Sequence, residues 1–291
     1  MHNLLTILSI FFQLLPRRIA LALGRGLGIF IYHVYPLRKS IALNNLELAF
    51  PHYKLEKKIS ILKACYKHYG MVVVDFFRLP IIKRKLNKEI VTIPKNNIEF
   101  MKNNPGGIIL SGHLGNWEYI GPMLSNHNIK SAGVAVIQKN STSNKFFNKL
   151  RASDHMKVLP VNCGSETMIQ HIKNGYYLGL ISDQNAGRKG TEALFFHKPV
   201  SVPKGAAVFH LKTNSPILLG FCILSKDLNY ELSFQELNLE KLPQDSNKAI
   251  VKINQQYTSL LEKVVTKYPE QYFWFHRKWN RSIYEKYQNN S

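Results

Sequence analysis

The first fifteen residues, Met1 to Leu15, contain no Lys, Arg, Asp or Glu, and Pro16, Arg17 and Arg18 close the run. A second apolar stretch from Gly26 to Leu37 is interrupted only by His33. A secretory leader places its basic residues before the apolar core; here the order is reversed. Fifteen residues also fall short of the roughly 20 that span a bilayer comfortably. The pattern therefore predicts a short tilted anchor or interfacial helices with arginines at headgroup level. If the first run spans, Arg17, Arg18, Arg25, Arg38 and Lys39 put the remainder in the cytoplasm. A buried N-terminal helix of a soluble protein is the competing reading.

Residues 54–89 carry Ile59, Leu62, Ala64, Cys65, Tyr69, Val72 and Val73 at helical spacing, followed by the basic cluster Lys83, Arg84 and Lys85. From about residue 90 the period changes. Short apolar runs at Gly107–Leu110, Ser131–Ile137, Tyr177–Ile181 and Ile217–Leu224 alternate with helix candidates at 115–126, 142–153, 164–174 and 203–213. Tyr230–Phe234 adds a further strand candidate, and 246–268 reads as a long helix ended by Pro269. Strands separated by helix-length segments predict an α/β fold. Its sheet is mixed and partly parallel, flanked by helices, with an N-terminal membrane-anchoring helical segment. No repeat or flexible linker divides the remainder, so the expected organisation is a 1–36 anchor and a 37–291 domain.

Charge narrows the partners. Lys plus Arg number 39 against 18 acidic residues, a formal net charge of +21. Such a field attracts anionic partners: acidic lipid headgroups, phosphorylated substrates, an acidic carrier protein or nucleic acid. The last is disfavoured, because no nucleic-acid-binding module is recognisable. Cys65, Cys163 and Cys222 form neither a CxxC nor a zinc pattern, which predicts reduced thiols in a cytoplasmic compartment. There is no GxSxG elbow, GxGxxG fingerprint or P-loop, and no paired histidines at metal-ligand spacing. The expectation is chemistry without a metal.

The candidate site is Gly112-His-Leu-Gly-Asn-Trp-Glu118, directly after an apolar strand and at the entrance to a helix, where open α/β sheets bind ligands. If the loop folds back, the Glu118 carboxylate meets one nitrogen of His113 and leaves the other facing substrate. His113 then removes a hydroxyl proton, and Glu118 fixes its tautomer. Backbone amides at the helix entrance, or nearby basic groups, are the expected oxyanion donors. The bare His-x4-acid spacing is weak, since chance alone gives about 0.7 such pairs in this composition. Its weight comes from the preceding strand, the flanking glycines and the C-terminal tail.

Four segments together resemble the lipid A biosynthesis late acyltransferase family, the lauroyl/myristoyl transferases of the lysophospholipid acyltransferase superfamily. They are Asn44 to Pro51; Gly112 to Glu118; Ser182-Asp-Gln184 with Gly187, Phe195 and Phe196; and Tyr268 to Trp279. The resemblance implies an anchored α/β enzyme on the cytoplasmic face of the cell inner membrane. It also implies acyl transfer from an acyl carrier protein thioester, as co-substrate, to a hydroxyl of a phosphorylated lipid A precursor, with no cofactor. Arg151 maps to the family's second-block arginine, a contact for phosphate or carrier. Asp183 holds an arginine or a sugar hydroxyl, or caps a turn, and Asn116 and Gln184 join them as expected substrate contacts. Two departures stand out: Gln138 and Lys139 where relatives carry an Arg-Pro-like pair, and His197 where Gly commonly follows the Phe pair. Acylation of another glycolipid or a lysophospholipid, with acyl-coenzyme A as donor, stays open.

Overall fold

A computed structural model of the chain describes residues 2–84, 90–137, 140–280 and 282–285. The N-terminal half is helical: α1 (His2–Leu14), α2 (Arg17–Val34), α3 (Lys39–Ala49), α4 (Leu55–Phe77) and α5 (Leu79–Arg84). There follow β1 (Val91–Thr92), α6 (Lys95–Asn103), β2 (Gly107–Ser111), α7 (Ile120–Ser125), β3 (Ser131–Ala135), α8 (Ser141–Arg151), β4 (Met156–Pro160), α9 (Ser165–Lys173) and β5 (Tyr177–Ile181). The chain ends with β6 (Thr191–Phe195), β7 (Lys198–Val202), α10 (Gly205–Thr213), β8 (Ile217–Leu224), β9 (Tyr230–Glu236) and α11 (Ser246–Lys267).

Seven strands form one sheet in the order β1-β9-β8-β2-β5-β3-β4; β8 and β9 are antiparallel and every other neighbouring pair is parallel. This is the mixed, mostly parallel α/β sheet that the alternation of short apolar runs predicts. The central strand β2 is buried at all five positions, and each of its Ile and Leu side chains contributes about 1.5–3 kcal/mol on burial. The pattern did not reveal β4. Its Met156-Lys-Val-Leu-Pro160 sequence is short and half exposed, as suits an edge strand ending in proline. The β6–β7 hairpin also went unread. His197 sits in its two-residue turn with Phe196, both in the left-handed region at φ 58° and 48°. That backbone is one in which glycine is free of strain.

The N-terminal helices dock on the rest of the chain. α2 crosses α4 where Gly24 and Gly28 meet Gly70; a Cβ at Gly70 would lie 2.0 Å from the Gly24 carbonyl, and one at Gly28 2.1 Å from that of Tyr66. At the break between α1 and α2, Arg17 donates to the fully buried Asp75 carboxylate at 2.8 and 3.2 Å, and Tyr230 donates to the same group at 3.1 Å. The faces turned away from α4 are apolar and exposed: Ile7, Ile10, Phe11 and Leu14 on α1, Ile19, Leu23, Leu27, Phe30 and Val34 on α2. Among the described residues no single helix is long and apolar enough to cross a membrane; α2 with α3, bent by 96°, passes that test only as a pair.

Candidate functional site

Strand register builds the site. β2 and β5 are parallel neighbours with Ser111 opposite Ile181, and the Ser182 amide extends the ladder to the Ser111 carbonyl. Two residues past each strand end therefore meet: His113 after β2, Asp183 after β5. His113 Nδ1 lies 2.8 Å from Asp183 Oδ1, and the His113 backbone N–H donates to Asp183 Oδ2 at 3.0 Å. Both oxygens of one buried carboxylate thus hold both the ring and the backbone of one histidine.

This corrects the expected pairing. Glu118 does not reach the imidazole; the segment after His113 runs through a 3₁₀ turn at Trp117–Tyr119 before α7, not one helix from 115. Its carboxylate accepts Arg151 Nε at 2.7 Å and Nη2 at 2.6 Å, a bidentate pair across to the end of α8. Asp183, expected to hold an arginine or a sugar, is the group that fixes the histidine. The sequence signal for it was its position: two residues beyond an apolar run, like His113.

The charges follow from this geometry. Burial alone would lower the His113 imidazole, but the Asp183 charge and hydrogen bond, and the more distant Glu118, raise it above its ordinary value. Burial would raise Asp183; the His113 charge and hydrogen bonds, with Lys278, outweigh it and hold the carboxyl at about 2. Lys278 is itself buried and donates to the Asp183 backbone carbonyl; burial brings it down to about 8. His276 stands with its ring 5.6 Å from that of His113, lowered by burial and by the neighbouring imidazole. Both residues lie within the Tyr268–Trp279 segment, whose pattern by itself assigns them no role.

Of the backbone amides expected to bind an oxyanion, those of residues 113–116 are already used. The His113 amide goes to Asp183, Leu114 to the Gly112 carbonyl, Gly115 to that of Gln271, and Asn116 to that of Cys222. Gly115, at φ 64°, is fixed by this packing, since a Cβ there would stand 2.0 Å from the Cys222 carbonyl oxygen. Asn116 is fully buried and turns away from the site, its Nδ2 3.5 Å from the Tyr230 hydroxyl. It is not brought to the substrate side as expected.

The four segments of the family resemblance converge here. Asn45 donates to the carbonyls of Trp274 and His276, each at 2.6 Å, and Phe50 packs edge-on to Phe196 and Trp274. The Phe273 amide and the Tyr69 hydroxyl both donate to the His113 carbonyl, at 2.8 Å each. Gln271 clasps Leu224 through its N–H and carbonyl, at 2.9 and 2.7 Å. Trp274 and Trp279 are each about 1% exposed, so the aromatic tail is core rather than a membrane belt. Of the two departures, His197 lies in the hairpin turn outside this cluster; Gln138 and Lys139 fall outside the described residues.

A cavity of about 560 Å³ opens beside the histidine. His113, Trp117, Glu118, Arg151 and Gln184 stand at its polar end, while Ile109, Val134, Met156, Val158 and the glycines 133 and 179 line its wall. Among the described residues no group of three or more His, Cys, Asp or Glu is placed to hold a metal ion.

An aspartate-held imidazole at the carboxyl ends of parallel strands, beside a largely apolar cavity, is the arrangement of an α/β enzyme site. Comparison with known proteins agrees. The family model for bacterial lipid A biosynthesis acyltransferase matches residues 2–281. The chain is 23% identical over 274 residues to the lipid A biosynthesis palmitoleoyltransferase of Escherichia coli (strain K12), covering 91% of this chain and 86% of that protein. The lipid A biosynthesis acyltransferase of Shigella flexneri matches with the same identity and coverage. The chain belongs to the bacterial lipid A biosynthesis acyltransferase family and is an O-acyltransferase.

Proposed function

We propose that the protein transfers a fatty acyl chain from an acyl carrier protein thioester to a hydroxyl of a phosphorylated lipid A precursor. In this reading His113 is the general base, and Asp183 orients it in place of Glu118. The observation that carries the reading is the bond between Nδ1 and Asp183, which assigns the ring proton to Nδ1 and leaves Nε2 to accept. His113 takes the acceptor hydroxyl proton as the oxygen attacks the thioester carbonyl. The tetrahedral intermediate collapses, the C–S bond breaks, and the proton passes from His113 to the departing thiolate. Because amides 113–116 are engaged elsewhere, the positive charge facing the oxyanion comes from Arg151, which Glu118 holds at the cavity. Gln184 contributes an amide at the same end, and the apolar wall receives the acyl chain.

The exposed apolar faces of α1 and α2, with the +21 charge, support an interfacial seat on the anionic cytoplasmic face of the inner membrane. Residues 1–36 then act as the membrane-contacting segment of a domain formed by 37–291. The test is turnover with acyl carrier protein thioesters of defined length and a lipid A precursor, run beside acyl-coenzyme A and lysophospholipid arms. Expected are loss of turnover in His113→Ala, with the fold and membrane association retained, and preference for the carrier-bound donor. Full activity of folded His113→Ala removes the mechanism; preference for acyl-coenzyme A and a lysophospholipid replaces the substrates.

A further inference from the structure

A second cavity, about 740 Å³, lies between α1, α5, the end of α7 and the C-terminal end of α8, outside the catalytic cluster. Its lining differs in kind from the acyl-sized one. From Leu4 to Leu14, α1 is apolar except for Thr6, Ser9 and Gln13, which recur on one face at helical spacing and line this space; Ser9 donates to the Phe77 carbonyl at 2.8 Å and accepts from Gln13. Opposite them stand Lys83 and Lys149, with Asn126 and Asn128 between. Lys83 Nζ is fixed by the Leu150 carbonyl at 2.7 Å and by that of Ala152, which places its charge at the end of α8. Ser153, also in the lining, has a buried hydroxyl oxygen with no hydrogen-bond partner among the described residues. Asp154, which is exposed, brings a carboxylate to the same wall. Beside this space, the outer face of α1 exposes Ile7, Phe11 and Leu14.

We propose that this cavity binds the phosphoryl headgroup of an amphiphile whose hydrocarbon stays in the bilayer beside α1. Two ammonium groups and side-chain amides line a volume too large for a lone ion and suited to a phosphate ester, with Asp154 and His155 also at its wall. On the membrane-contacting reading of α1, its exposed apolar face beside the cavity sets the two lysines next to the interface. The proposal rests on the reading of α1 as membrane-contacting and not on the His113 mechanism. The phosphate has two sources: an anionic phospholipid of the bilayer, or the acceptor itself. The second would use residues 149–153 to tie acceptor binding to Arg151, which lies among them.

The test is titration of the full-length protein in neutral detergent with dihexanoyl phosphatidate, and with dihexanoyl phosphatidylcholine for comparison, by calorimetry. Wild type, Lys149→Glu and Lys145→Glu are compared; Lys145 is one turn earlier on the same helix and does not line the cavity. Saturable phosphatidate binding, weakened about tenfold or more by Lys149→Glu and unchanged by Lys145→Glu, is expected. His113→Ala should bind as wild type, so a failed mechanism and a failed site are separable. No saturable binding, or equal loss in both lysine variants, overturns the proposal. Acceptor kinetics then name the source: KM raised by Lys149→Glu for a phosphorylated acceptor but not its dephosphorylated form assigns the acceptor. An unchanged KM with lost phosphatidate binding assigns the bilayer lipid.

Discussion

His113 and Asp183 are joined through Nδ1, and in the proposed mechanism their protonation sets the pH behaviour. His113 is raised above its ordinary value, so turnover that needs the neutral ring rises with pH through a midpoint above about 6.5. Asp183→Asn removes the charge that does most to raise it. The acid limb of kcat/KM is expected to move to lower pH while kcat falls about 10²- to 10⁴-fold, as when a triad loses its orienting carboxylate. Glu118→Gln should shift that limb less, because Glu118 is the weaker of the two influences; a larger shift than that of Asp183→Asn returns the orienting role to Glu118. Stability is lost on the same acid side, at lower pH. Asp183, held at about 2 from an ordinary 3.8, stabilises the fold above about pH 4, and the contribution is lost as pH falls toward 2. Glu118 and Arg151 form a second unit, bidentate at 2.6 and 2.7 Å. The double variant Glu118→Ala/Arg151→Ala is expected to be no slower than the worse single variant, whereas independent roles would multiply the losses.

At the scale of elements, two close crossings hold the architecture. One is α2 on α4 at Gly24, Gly28 and Gly70, where the backbones leave no room for a methyl group. Gly70→Ala is expected to lower the thermal midpoint, corresponding to about 1–3 kcal/mol, since neither helix can retreat without opening its packing. An unchanged midpoint would show that the helices separate without cost. Gly26→Ala, about half a turn from Gly24 and Gly28 on the open side of α2, serves as the control, as its Cβ meets nothing within 4 Å. The other crossing is the strand-end pairing of Ser111 with Ile181, which brings His113 to Asp183 across 70 residues of chain.

Over the whole molecule, a net charge of +21 accompanies the exposed apolar faces of α1 and α2, which carry the proposed membrane contact. Leu14 and Val34, 80% and 63% exposed, stand at the C-terminal ends of α1 and α2. Flotation with vesicles containing phosphatidylglycerol is expected to carry the wild-type protein up, and Leu14→Glu/Phe30→Glu to leave most of it behind. Salt should weaken wild-type binding without abolishing it, because only the electrostatic part is screened. Binding unaffected by the double variant would place the membrane contact elsewhere on the surface.

The sequence by itself determined the α/β class, the central strands and the loop that carries His113, because buried strands and amphipathic helices write their periods locally. It also determined the family, through four segments that the fold gathers into one shell. Tertiary structure alone decided which carboxylate meets the imidazole. His113 and Glu118 are five residues apart, yet a 3₁₀ turn and the pull of Arg151 separate them. Asp183 is 70 residues away and is brought in by a parallel register that no local pattern encodes. The same holds for Lys278, Asn45 and the Tyr230–Asp75–Arg17 cluster: each is a polar group whose partner is chosen by packing, and partners chosen by packing leave no period in the chain.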